Sequence, residues 1–102
     1  MIKHIVFWQL EDFAEGKSKA ENARIIKEGL EALKDRIPQL RKIEVGINHP
    51  DAPQGNYDVA LYCELDSMAD LDTYQNHPDH QAVAAYIGKV KKARVAVDYE
   101  AR

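Results

Sequence analysis

The segment Tyr74-Gln75-Asn76-His77-Pro78-Asp79-His80 gathers a phenol and two imidazoles around a proline, just ahead of a helical pattern. Those groups can build a proton-transfer site. Histidine is the side chain whose ordinary pKa lies nearest neutrality, so a neutral imidazole is the natural general base. With Pro78 as the first helical residue, His80 is the third, inside the first turn, where the positive end of the helix dipole disfavours the imidazolium. Asp79 beside it pulls the other way. Tyr74, on the preceding helix, can donate a hydrogen bond to an oxygen on which negative charge develops. In one continuous helix, residues six apart project about 120° from each other. The break at Pro78 is what can bring Tyr74 and His80 together.

His4, on the first strand, reaches the same place if the face carrying Val6 and Trp8 is the one the helices cover. The predicted site is therefore a small cavity between sheet and helices, with Tyr74 and His80 as the acid-base pair. Its walls are His4, Val6 and Trp8 from the strand, Ile26 and Leu30 from the first helix, and His77, Val83 and Ile87 from the second helical region. Trp8, Tyr74 and Tyr86 supply aromatic surface for a partly apolar guest. Each residue also has a plain structural alternative: His77 as a helix cap, Tyr74 as a core aromatic, His4 as a hydrogen-bonded core histidine. His77, Asp79 and His80 are potential metal ligands, but their spacing fits no strong metal signature. No nucleotide-binding loop, flavin signature or nucleophile constellation is present, so no metal or other cofactor is expected.

The elements that must position these groups are marked by two periodicities. Met1 to Leu10 alternates, with Ile2, His4, Val6, Trp8 and Leu10 on one face and Lys3, Ile5, Phe7 and Gln9 on the other. The second face is apolar enough to require a cover of its own. Ser18 and Glu21 form a capping box, opening a helix whose apolar stripe runs through Ala23, Ile26, Leu30, Leu33 and Ile37 until Pro38 stops it. Arg41 to His49 reads as the next strand, a turn-rich loop follows, and Tyr57 to Leu65 reads as the third strand. Ser67 and Asp70 suggest a second capping box for a short helix ended by Pro78, which can itself start the following helix. That helix buries Val83, Ile87 and Val90, and Lys89, Lys91, Lys92 and Arg94 are expected at its end, where cations complement the dipole. Val95, Val97 and Tyr99 alternate in a final strand.

The order β-α-β-β-α-β predicts an α+β, ferredoxin-like fold over residues 1–102, an antiparallel sheet with helices on one face. At 102 residues the chain is one domain, small enough for self-association to help stabilise it. Packing two open sheet faces into a dimeric barrel would bury more than roughly 2,000 Å² as an obligate homodimer. An acidic net charge of −3 argues against nucleic acid, and the third strand lacks the basic, glycine-aromatic pattern of an RNA-binding module of the same element order. No apolar run is long enough to span a membrane. The first segment is not followed by a small-residue cleavage pattern, and the single cysteine fits a reducing compartment, so a cytoplasmic location is expected.

The opening Ile2-Lys3-His4-Ile5-Val6, the Tyr74-x-x-His77-Pro78-x-His80 segment and the closing Arg94-x-Ala96-x-Asp98-Tyr99 resemble the stress-responsive A/B barrel family, often called Dabb. The likeness runs from end to end and implies a ferredoxin-like homodimer closing a central barrel. A polyketide cyclase of this family uses a tyrosine and a histidine of the same segment for a cofactor-free aldol cyclisation, and the matching positions are Tyr74 and His80. His4 matches a further histidine of its pocket. Leu30 and Lys91 stand where that cyclase has a tyrosine and a tryptophan, so the resemblance does not carry its substrate. It leaves three functions open: cyclase-like acid-base catalysis, non-catalytic binding by a stress-related homodimer, and cofactor-free oxygen chemistry as in related dimeric barrels.

Overall fold

The computed structural model describes residues 1–102. Strand β1 (Ile2–Leu10) turns Ile2, His4, Val6, Trp8 and Leu10 into the interior, because successive side chains on a strand point to opposite faces. A hairpin absent from the sequence-based expectation follows, with β2 (Phe13–Ala14) and β3 (Lys17–Ser18). Its central residues Glu15 and Gly16 have φ of 52° and 74°, the left-handed pair that the tightest hairpin turns require. Strands of two residues are too short to show alternation.

Helix α1 (Lys19–Glu31) starts where expected. Ser18 Oγ accepts from the Glu21 N–H at 3.2 Å, and the Ser18 N–H donates back to the Glu21 carboxylate at 3.5 Å. Its end differs from the expectation, because the chain tightens into a 3₁₀ turn over Ala32–Asp35. Pro38 disfavours the α conformation at the residue before it, and helix ends commonly tighten in this way. The apolar stripe survives the change: Ala23, Ile26, Leu30, Leu33 and Ile37 are all buried.

Strand β4 (Lys42–Ile47) lies at the edge of the sheet, where Val45 is buried but Ile47 is left 45% exposed. Lys27 Nζ donates to the Val45 carbonyl at 2.6 Å, and the Glu31 carboxylate accepts from the Val45 N–H at 3.1 Å. An ion pair from α1 thus occupies backbone groups that an edge strand would otherwise offer to another chain. Strand β5 (Val59–Leu65) buries Val59, Leu61, Cys63 and Leu65.

Helix α2 (Met68–Asn76) is opened by half of the predicted capping box: Ser67 Oγ accepts from the Asp70 N–H at 3.1 Å, without a return bond. Helix α3 (Pro78–Val90) leads directly into strand β6 (Lys91–Glu100). The basic cluster expected at a helix end is therefore divided. Lys89 is in the last turn of α3, whereas Lys91, Lys92 and Arg94 are in β6, because the ladder with β1 reaches back to Lys91.

The four long strands pair antiparallel in the order β4-β5-β1-β6, the ferredoxin-like arrangement. On the side away from the helices, Ile5 pairs with Val97 and Phe7 with Val95. Phe7, Val95, Val97 and Tyr99 are 42–60% exposed there, leaving an apolar sheet face open.

Candidate functional site

Strand β1 sends His4 into the helix-covered layer, between Cys63 of β5 and Asp98 of β6. His4 is buried, and its Nδ1 is hydrogen-bonded to the Asp98 carboxylate. A neutral imidazole donates through that nitrogen, which leaves Nε2 as the acceptor. The ring lines a cavity of about 160 Å³. His4, Val6, Trp8 and Leu61 come from the sheet, Leu30 from α1, Gln75 from α2, and His80, Ala84, Ile87 and Gly88 from α3, with Lys91 and Arg94 of β6 completing the lining.

His80 is the third residue of α3, as the sequence predicted. Its Nδ1 is buried without a hydrogen-bond partner. Burial lowers its pKa below the ordinary histidine value; the Gln75 backbone opposes the shift, and His4, Arg94 and His77 add to it. The helix dipole expected from the sequence acts in the same direction as this desolvation, which is the first of the causes the structure adds. Asp79 does not counteract it, since its carboxylate is directed towards Arg36 at 4.0 Å.

Tyr74 comes together with both histidines, but it does not line the cavity. Its ring meets that of His80 edge to face at 4.6 Å between centroids and that of His4 at 6.4 Å. The residue is fully buried, its hydroxyl lies 3.9 Å from Cys63 Sγ, and it is not on the cavity wall. Burial pushes the phenol well above its ordinary pKa and the Cys63 thiol up to about 12.

Of the other expected wall residues, His4, Val6, Trp8, Leu30 and Ile87 do line the cavity. His77 does not: its Nδ1 accepts from the Asp79 N–H at 3.0 Å, capping α3. That bond commits the nitrogen, and no three His, Cys, Asp or Glu side chains converge in metal-ligating geometry. Ile26 is sealed in the core, and Val83 packs against α1 beside Gly29. Tyr86 donates to the buried Asn22 Oδ1 at 2.6 Å, tying α3 to α1 instead of facing the cavity.

Sequence reasoning gave Asp98 and Arg94 no place in the site, and it reached Lys91 only through the resemblance, as a position where the pocket wall differs. A signal for the first existed: if Val95, Val97 and Tyr99 face outward, Asp98 shares the inner face with His4. A larger hollow of about 640 Å³ lies on the open sheet face and includes Phe7, Ile47, Asn48, His49 and Val95. Its histidine is mostly exposed and is 4.0 Å from Asp51. The perturbed imidazole lies in the smaller cavity.

The model of the stress responsive A/B barrel domain matches residues 2–101. Among solved structures, the chain is similar to a dimeric protein of unknown function and ferredoxin-like fold from Bacteroides fragilis. That chain is 38% identical, with 98% of this chain and 95% of that one covered and a TM-score of 0.87. A dimeric ferredoxin-like protein from Thermobifida fusca is 31% identical, with 98% and 90% covered and a TM-score of 0.83. The hydroxynitrile lyase of Passiflora edulis, at 18% identity, 96% and 90% coverage and a TM-score of 0.76, shares the fold. No curated protein matches the sequence. From the family match over nearly its whole length and these relatives, the chain belongs to the stress responsive A/B barrel domain family.

Proposed function

We propose that the protein is a homodimer whose cavity between sheet and helices binds a small, partly apolar molecule, on which its imidazoles carry out cofactor-free proton transfer. His80 is the general base, and Asp98 orients His4 opposite it. Tyr74 holds the His80 ring in place without entering the reaction. The main support is the pairing of a desolvated His80, whose buried Nδ1 has no hydrogen-bond partner, with a carboxylate-fixed His4 on the lining of one cavity. A base that stays neutral below the ordinary histidine range remains able to take a proton throughout neutral pH. The apolar remainder of the lining, including Val6, Trp8 and Ile87, suits an aldol-type or enolising substrate with a phenolic or other apolar body.

Deuterium exchange at the benzylic carbon of phenylacetone in heavy water, followed by NMR, tests this reading. The wild type should accelerate exchange by about 10²-fold or more over buffer, His80→Ala should abolish the acceleration, and Asp98→Asn should reduce it. Acceleration retained in full by His80→Ala removes His80 from the chemistry.

A second reading, binding without turnover, is favoured by the withdrawn Tyr74 hydroxyl, which lies 3.9 Å from Cys63 Sγ and off the cavity wall. Ligand-induced stabilisation without any exchange would support it.

A further inference from the structure

Lys91 and Arg94 are three residues apart on β6, and in a regular strand that spacing sends two side chains to opposite faces. Both nevertheless line the cavity. The cause is visible in the register: Gln9 pairs with Ala93 but Leu10 pairs with Lys91, so β6 carries one extra residue at this point. Such a bulge re-aims a side chain. Neither cation has a salt-bridge partner. Asp98, four residues beyond Arg94, is about 13 Å further along the strand and is engaged by His4.

We propose that this bulge makes the cavity an anion site, so that its guest is a small organic acid of about one ring. The acidic group lies at Arg94 and Lys91, and the apolar body lies on Val6, Trp8 and Ile87. This rests on the reading of the cavity as a ligand site and adds the class of ligand. Size agrees, since a cavity of roughly 150 Å³ elsewhere accommodates benzene, and the cavity here is about 160 Å³. Charge agrees too, because the lining combines two unpaired cations with two imidazoles and no carboxylate. Arg94 offers a planar donor fork suited to a carboxylate. Its nearness to His80 is already felt there, where its charge opposes protonation. A guest carboxylate at Arg94 would leave His80 over the carbon skeleton.

Trp8, the chain's single tryptophan, lines the cavity and pairs across the ladder with Arg94, so its fluorescence reports occupancy. Benzoate and its neutral isostere benzamide are titrated separately against the wild type, Arg94→Gln, Lys91→Gln and, as control, Lys89→Gln. Benzoate should bind the wild type and the control more tightly than benzamide. Arg94→Gln should weaken benzoate by about tenfold, the loss of one charge-assisted hydrogen bond, and leave benzamide unchanged; Lys91→Gln should weaken benzoate less. Equal binding of the two probes to the wild type, or benzoate binding untouched by Arg94→Gln, overturns the anion site while the cavity reading stands. If neither probe binds, both fall.

Discussion

Tyr74 and His80 stand edge to face, with ring centroids 4.6 Å apart and planes at 64°, although six positions separate them across a helix break. The kink at His77, which is C-cap of α2 and N-cap of α3 with an extended backbone, makes that contact possible. Tyr74 therefore acts on His80 through its ring, while its hydroxyl is turned towards Cys63. The cavity lining carries the two imidazoles and the β6 cations, and the Tyr74 side chain is not part of it.

His80 should leave a signature in the pH dependence of stability. An unfolded histidine takes up its proton near about pH 6.5, whereas the folded one does so lower. Stability rises with pH wherever the unfolded chain binds more protons. The contribution of His80 is thus full above about pH 6.5 and declines as pH falls from there towards the folded pKa. His80→Leu removes this titration, so its urea midpoint should drop less than that of the wild type between about pH 7 and about pH 5.5. Parallel behaviour of the two proteins would contradict the buried, neutral ring.

Tyr74 should prove a packing residue. Tyr74→Ala empties a fully buried site and should cost about 3–5 kcal/mol in urea unfolding. Tyr74→Phe keeps the ring against His80, gives up only the long contact to sulfur, and should cost about 1 kcal/mol or less. Phenylacetone exchange should survive in the phenylalanine variant. Loss of exchange there, with stability intact, would return the hydroxyl to the mechanism.

Cys63 should be chemically silent in the folded protein. Burial raises its pKa to about 12, and only the thiolate is nucleophilic. Iodoacetamide at about pH 8 should label the native protein negligibly and the urea-unfolded chain completely, as read by mass spectrometry. Rapid native labelling would show that the core beneath His4 opens readily.

The open face should hold the dimer together. Val97 is 60% exposed and pairs with Ile5 on that face, so Val97→Asp burdens the contact between copies more than the fold of one. Sedimentation should give a dimer for the wild type and a shift towards monomer for the variant, with circular dichroism unchanged. A wild type that sediments as a monomer with its sheet exposed would remove the dimer from the account.

Much of this architecture was readable along the chain, because the signals are local. Alternation in β1 and β5, the Ser18-Glu21 box and the proline breaks each depend on residues a few positions apart, and together they specify the ferredoxin-like order. The hairpin at Glu15-Gly16 and the 3₁₀ turn after Glu31 escaped, being too short to carry a period.

The chemistry divides in the same way. From sequence alone came the segment that carries Tyr74 and His80, the inward face of His4, and the expectation of a cavity between the layers. Tertiary structure decided that Asp98 holds His4, that Tyr74 turns its hydroxyl to Cys63, that His77 is spent as a cap, and that a bulge brings Lys91 onto the same wall as Arg94. Those outcomes depend on strand register and on how α2 and α3 seat over the sheet. Contacts between residues dozens of positions apart fix both, and no local spacing encodes them.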